Sequence, residues 1–311
     1  MNNYKEIKFS DFSNEISQIK INTPLEEINE LIQRIKKEIK VKNSNFKLLK
    51  SYCLEFIRRL PIPILHLDNL FVIRCRQNFN GEIFKTISQI SYNKDKKKIK
   101  LNRFNLQNES AFYCSVPLLS KESRVEMTAI LESCKEIFHL NPENKYIYAT
   151  IGKWEIVKPL KIIPLTFYEA AFKKCMDLEN INPVFDKFNK KYFKNEDYKK
   201  VSKFYNFFSK LSAKKMATEK DYLITNAFYQ AVKKYYGNEV GILYSNSITE
   251  NYGLNLVLSK EIIDNGSLQL SSVIMYKCQL NPITKKTFDI YPCSNISNID
   301  ENGKILITNL F

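Results

Sequence analysis

Leu60-Pro61-Ile62-Pro63 divides this chain into two textures. Neither proline can continue a helix, so a helix ending near Arg59 and a change of structure after it are expected. Upstream the pattern is helical. Thr23-Pro24-Leu25-Glu26 reads as a start, with Thr23 as N-cap, Pro24 in the first helical position and Glu26 in the third. Leu25, Ile28, Leu31, Ile32, Ile35 and Ile39 then recur at helical spacing, and a second helix is expected over Phe46 to Arg59. Downstream, Phe71-Val72-Ile73-Arg74-Cys75-Arg76 and Ser110-Ala111-Phe112-Tyr113-Cys114-Ser115 are short β-like runs.

Further along, Ser123-Arg124-Val125-Glu126 opens a helix expected to reach about Phe138. Tyr146 to Ile151 and Glu155 to Ile163 read as strands, and Thr166-Phe167-Tyr168-Glu169 as another helix start. Asp197 to Tyr236 is helical and aromatic-rich, broken near Ser212 and ended by Gly237. Its run Phe204-Tyr205-Asn206-Phe207-Phe208 reads as core rather than as a base-stacking platform. Val240 to Tyr244, Leu254 to Leu258, Val273 to Tyr276 and Ile305 to Ile307 are β-like. This order is mixed rather than a regular βαβ alternation, so the expected class is α+β. Residues 1–62 form a helical amino-terminal region and 63–311 the main body.

The chain has 311 residues, 44% hydrophobic and 26% charged, which excludes disordered, collagen-like and coiled-coil classes. No apolar run approaches the roughly 20 residues that span a bilayer, and the amino terminus lacks the apolar core of a secretory signal. No membrane association is expected. Seven scattered cysteines with no C-x-x-C pair indicate neither zinc nor a disulfide framework, so reduced thiols in a cytoplasmic protein are expected. The net charge is +15, but only seven of the 48 basic residues are arginine. The lysines are spread along the whole chain, so nucleic acid is not the expected partner. The charge still favours approach of an anionic metabolite. Arg34, Arg58, Arg59, Arg74, Arg76, Arg103 and Arg124 each invite a question, because bidentate phosphate recognition needs a planar fork.

Seven glycines leave little room for a phosphate-binding loop, and two histidines, His66 and His139, make a histidine metal cage improbable. No metal site is expected. The chemistry available is that of carboxylates, hydroxyls and arginines. Three segments carry it. The first is Leu101-Asn102-Arg103-Phe104-Asn105 with the strand through Tyr113, which puts a donor fork in an Asn-rich turn and an aromatic hydroxyl nearby. The second is Met127-Thr128-Ala129-Ile130-Leu131-Glu132, a carboxylate on the apolar side of a helix, where it needs partners. The third is Gly241-Ile242-Leu243-Tyr244-Ser245-Asn246-Ser247, followed by Gly253-Leu254-Asn255-Leu256-Val257-Leu258.

At these residues the chain resembles the RES family, named for polar Arg, Glu and Ser positions. The family pattern runs G-R-x-N, an apolar pair with Y-x-S, a helix ending in A-x-x-E, then G-I-x-Y-x-S and a G-x-N-x-x-L strand. Arg103, Tyr113, Glu132 and the Gly241 block follow that order, and Ile73-Arg74-Cys75-Arg76 is similar to the family's first strand. The resemblance covers residues 70 to 260. It departs at Asn102, where glycine is expected, and at Asn246, where serine is expected between Ser245 and Ser247. A one-residue bulge would present either serine, and a shifted helix register would replace Glu132 by Glu126.

The resemblance implies an ADP-ribosyltransferase-like mixed β core with flanking helices, and cleavage of NAD+ between nicotinamide and ribose. NAD+ is then substrate rather than cofactor, with water or inorganic phosphate as acceptor; the alternatives are transfer to a macromolecule or, from the basic charge and apart from the resemblance, a non-catalytic nucleic-acid-binding protein. The departing nicotinamide is already cationic and needs no histidine acid. Glu132 would steady the oxocarbenium-like ribose, Arg103 with Arg76 would grip the pyrophosphate, and Tyr113 would stack on or orient the nicotinamide ribose. Ser247 or Ser245 would bond the same end, with Asn105 and Tyr244 in the binding group. Several family members are toxins of toxin–antitoxin pairs. An antitoxin or regulatory protein, or a second copy of the chain, is the implied partner, with the amino-terminal helices as interaction arm or lid.

Overall fold

The computed structural model describes residues 21–60, 62, 64–79, 81–117, 125–134, 146–167, 183, 186–187, 189–190, 193, 195–215, 218–247, 253–281 and 288–307. Helices α1 (Leu25–Lys40) and α2 (Phe46–Arg59) come first. Then follow β1 (Leu65–Leu67), β2 (Phe71–Asn78), the single-turn α3 (Ile87–Ile90), β3 (Ala111–Ser115), α4 (Val125–Ser133), β4 (Tyr146–Ile156) and β5 (Leu160–Leu165). Two long helices, α5 (Asn195–Ala213) and α6 (Glu219–Tyr236), precede β6 (Val240–Ser245), β7 (Leu254–Ser259), the short α7 (Lys260–Asp264), β8 (Leu268–Leu280) and β9 (Phe288–Pro292). The class is α+β, with helices flanking one mixed sheet.

Among the described residues the sheet has nine strands in the order β1-β5-β6-β7-β3-β2-β4-β8-β9. β5 and β6 run parallel, and the other neighbours are antiparallel. β6 and β7, third and fourth in that order, are interior strands and are buried along their whole length. That explains their near-continuous apolar sequence, since a strand covered on both faces has no solvent side to alternate towards.

Side-chain alternation gives the sheet two unlike faces. On the first, Ile163, Leu165, Ile242, Tyr244 and Val257 join a core with α1, α2, α5 and α6. Phe56, Phe204, Phe208 and Phe228 form its aromatic centre, with Phe208 stacked on Phe228 at 4.3 Å. The aromatic run of α5 is thus core. The same face carries a smaller cluster at its other end, where Val125, Ala129 and Ile130 of α4 cover Ile73, Cys75, Ala149 and Ile151. On the second face, Val72, Phe112, Trp154, Leu243, Leu256 and Leu258 form a separate core. The helices before Leu60 have no core of their own: Ile28, Leu31 and Phe56 share theirs with β5, β6 and β7.

Several expectations are corrected. Pro24, with ψ 151, is the N-cap of α1, and the Thr23 hydroxyl instead donates to the Arg59 carbonyl at 3.5 Å. Proline's fixed φ suits a first helical position, but ψ of Pro24 is extended, so the helix begins one residue later. The expected strand over Glu155 to Ile163 is divided: β4 runs through to Ile156 and β5 begins at Leu160. The intervening Val157 and Lys158 N–H groups donate to Ser267 O, outside the ladder. Ile305 to Ile307 form no strand; Ile305 makes one isolated bridge to Ile299. Most of the helix expected from Thr166, and the ends of the one expected over Ser123 to Phe138, lie outside the described residues. His139 lies outside them too. The long helical stretch breaks as expected, with Thr218 and Asp221 forming a capping box at the start of α6 and Gly237, at φ 88, ending it.

Candidate functional site

The two clusters on the first face leave a polar strip between them. Tyr113 and Ser115 lie on it from β3, Asn255 from β7 and Tyr244 from β6; the register pairs Ser115 with Asn255 and Asn255 with Tyr244. Arg103 reaches it from the turn before β3, and Glu132 from α4.

The Arg103 turn is clamped. Asn102 and Asn105 bridge across it, and the Asn102 side chain accepts from the Arg103 N–H at 2.8 Å. α6 holds it from outside: the Asn226 side chain donates to Asn102 O at 2.6 Å and Thr225 to Arg103 O. Phe104 plugs the turn into the core against Tyr229 and Tyr244. The buried guanidinium donates through Nη1 to the carbonyls of Ser212, 2.5 Å, and Lys214, 3.0 Å, at the end of α5. Nη2 donates to Ser247 Oγ at 2.8 Å, and the guanidinium carbon lies 5.6 Å from the Tyr244 ring centre.

Glu132 stands across the strip. Its carboxylate accepts from the Asn255 amide at 3.3 Å, while Asn255 Oδ1 accepts from Ser115 Oγ at 3.1 Å and from Asn246 at 3.4 Å. Gly253 makes this approach possible, because a Cβ there would sit 2.7 Å from Thr128 Cγ2. With that position just before β7 bare, Thr128 of α4 packs onto Gly253 one turn before Glu132. Glu126 is exposed, and its charge helps burial raise the pKa of Tyr276 on β8. A cavity of about 20 Å³, room for one water, lies between Tyr113, Ser115, Glu132 and Asn255.

The two tyrosines sit between the opposite charges. Burial raises the Tyr113 hydroxyl well above its ordinary pKa; the Phe104 N–H and Arg103 oppose the rise and Glu132 adds to it. Burial, then Glu132, likewise raises Tyr244, with Arg103 and Asn255 opposing. Both therefore remain neutral hydroxyls. The Tyr113 oxygen accepts from Phe104 N–H at 2.9 Å and donates to Asn105 Oδ1 at 3.0 Å. Asn105 spends its amide on Lys100 O and Leu106 O, so it shapes the turn and presents no amide hydrogen outward.

The structure thus brings Arg103, Tyr113, Tyr244, Glu132, Asn105 and Ser247 to one region. It does not bring Arg76 or Ser245 there. Arg76 alternates onto the second face, where Nη1 donates to Gln89 O at 2.8 Å and the side chain lies over Phe84. Its pairing with Arg103 is corrected for that reason. Ser245 also belongs to the second face, beside the apolar Leu243 and Leu254, and its buried hydroxyl has no hydrogen-bond partner among the described residues. Ser247 is the serine that meets Arg103. The role of Asn255 as the hub joining Glu132 to Ser115 was not read from the sequence, nor was the clamp of Thr225 and Asn226. Only Asn255 carried a signal, as a polar residue within a strand otherwise buried and apolar.

Among the described residues no cluster could hold a metal ion, and no helix is long and apolar enough to cross a membrane. The six described cysteines are buried thiols, and Cys175 lies outside the described residues. No family model matches the chain, and no curated protein matches it.

Proposed function

We propose that this protein cleaves NAD+ at the bond between nicotinamide and ribose. The observation that carries the reading is the strip itself: a guanidinium and a carboxylate on either side of two neutral tyrosines, on one sheet face. That arrangement has a cation for a diphosphate and an anion for a sugar that becomes positive. The C1′–N bond breaks with its electron pair leaving on nicotinamide. The acceptor oxygen, from water or phosphate, bonds to C1′ and releases its proton to solvent. The Glu132 carboxylate, already oriented by Asn255, lowers the barrier by opposing the charge that develops on the ribose. Arg103 meets the pyrophosphate with the edge of the fork that faces Ser247, since its Nη1 is committed to α5. Tyr113 and Tyr244 back the nicotinamide end from the core side, Tyr244 being buried against Phe104. A cytoplasmic site of action and a growth-arresting, toxin-like role follow from draining the dinucleotide pool.

The test mixes purified protein with NAD+ and follows free nicotinamide, with and without phosphate. Release that vanishes in Glu132→Gln, and falls in Arg103→Lys with the melting temperature preserved, is expected. Label transferred from NAD+ to a macromolecule would replace hydrolysis by ADP-ribosyl transfer. Full release by Glu132→Gln would remove the proposed role of that carboxylate, and no release by the wild type would remove the activity.

A further inference from the structure

We propose that the groove between α1 and α5 is a docking site for an acidic amphipathic helix of another protein. The groove encloses about 860 Å³. Its floor is apolar, from Ile32 and Ile39 on α1 and Phe207 and Leu211 on α5. Its rim carries Lys36, Lys40, Lys203, Lys210, Lys214 and Lys215, and among the described residues no carboxylate lines it. On α1 the lining runs from Asn29 to Lys40, a single stripe of about 17 Å, or three turns, at 1.5 Å per residue. Lys203 is held by Asn29 and Lys214 by Asp221, which among the described residues leaves Lys36, Lys40, Lys210 and Lys215 as exposed ammonium groups along the edges.

An apolar floor with a rim of one charge matches a helix whose own apolar stripe is bordered by the opposite charge. Nucleic acid would pair with the rim but leave the floor wet. A second copy of this chain, at +15, brings the wrong sign. The groove also ends at the main-chain anchor of Arg103. Ala213 lines its end, and the carbonyls on either side, those of Ser212 and Lys214, hold the Arg103 guanidinium. A helix docked there lies behind the anchor of that arginine, so the partner acts as a regulator of the Arg103–Glu132 strip. This last link rests on the function proposed above; docking itself does not.

The probe is a fluorescein-labelled synthetic peptide of five helical turns, with leucines at i, i+3, i+4 and i+7 and glutamates elsewhere. A counterpart has lysine for every glutamate. Anisotropy titrations compare the full chain with K36E/K40E/K210E, three solvated positions whose reversal leaves the core untouched. The glutamate peptide should bind the wild type, weaken with salt, and lose about 10-fold or more on the triple variant. The lysine peptide should show the reverse preference. Equal binding of the glutamate peptide to both proteins, or none to the wild type, overturns the proposal. So does loss, in the triple variant, of self-association, of short-RNA binding or of phosphatidylserine-vesicle binding while the peptide is ignored. Nicotinamide release without the peptide is measured in parallel, so that failure of docking and failure of the activity are read separately.

Discussion

Arg74 and Arg103 are both buried, yet they lie on opposite faces of the sheet and do different things. On the second face Arg74 donates to three main-chain carbonyls, those of Ile90, Ser91 and Tyr113, with its guanidinium over Phe112. Burial and the nearby Arg76 both push its pKa down, a cost met only by bonds that fix it in place. On the first face Arg103 also spends Nη1 on carbonyls, but Nη2 meets a half-buried hydroxyl, and a tyrosine ring and the Glu132 strip lie beyond it. Main-chain partners cannot leave; a serine hydroxyl can turn. A buried arginine becomes a candidate for binding when part of its fork faces something exchangeable.

The sharpest way to break that contrast is to delete each arginine's purpose. Arg74→Ala strands three buried carbonyls and leaves a void, so unfolding free energy measured in urea should fall by about 3–5 kcal/mol. Glu132→Gln should lower nicotinamide release about 100- to 1,000-fold with an unchanged melting temperature. Arg76→Ala, on the second face, should leave release within about 2-fold; a loss rivalling that of Arg103→Lys would return Arg76 to the site. Tyr113→Phe leaves the buried Phe104 N–H without its acceptor and should cost about 1–3 kcal/mol in the same urea titration.

Smaller effects separate the serines and one acid. Ser245→Ala removes a buried hydroxyl that has no partner among the described residues, so stability should stay level or rise by up to about 1 kcal/mol, with release unchanged. Ser247→Ala should instead reduce release several-fold. Glu109 offers a pH test. Burial pushes its carboxyl up, but hydrogen bonds from Lys233, Leu106 N–H and Gln230 outweigh that and hold it below its ordinary 4.5. The folded state therefore binds the proton less readily than the unfolded chain. The resulting stabilisation is fully present above pH 4.5 and is lost as pH falls through the lower folded value. Glu109→Gln should flatten that part of the acid limb in a melting-temperature series.

Much of the architecture was legible locally. The apolar spacing of Leu25 to Ile39 gives one buried helix face, and the largely apolar runs of β6 and β7 mark strands inside the sheet. Where local reading failed, a distant partner decided. The division between β4 and β5 depends on Ser267 receiving the N–H groups of Val157 and Lys158, a hundred residues earlier in the chain and invisible from their own neighbourhood. The clamp on the Arg103 turn comes from Thr225 and Asn226, on a helix whose pattern otherwise announces only packing.

What the amino-acid order determined by itself is the set of elements and the chemical inventory: helix periods, buried strands, few glycines and histidines, and an arginine, a glutamate, tyrosines and serines in a fixed succession. What only the tertiary structure decided is which of them meet. Ser247 rather than Ser245, Glu132 rather than Glu126, and Arg103 without Arg76 are choices between the faces of one sheet or the sides of one helix. The reason is geometric. Alternation along a strand is local, but which face lies under α4 and beside the Arg103 turn is set by pairings such as Ser115 with Asn255 and contacts such as Arg103 with Ser247, across 140 and 144 residues of chain.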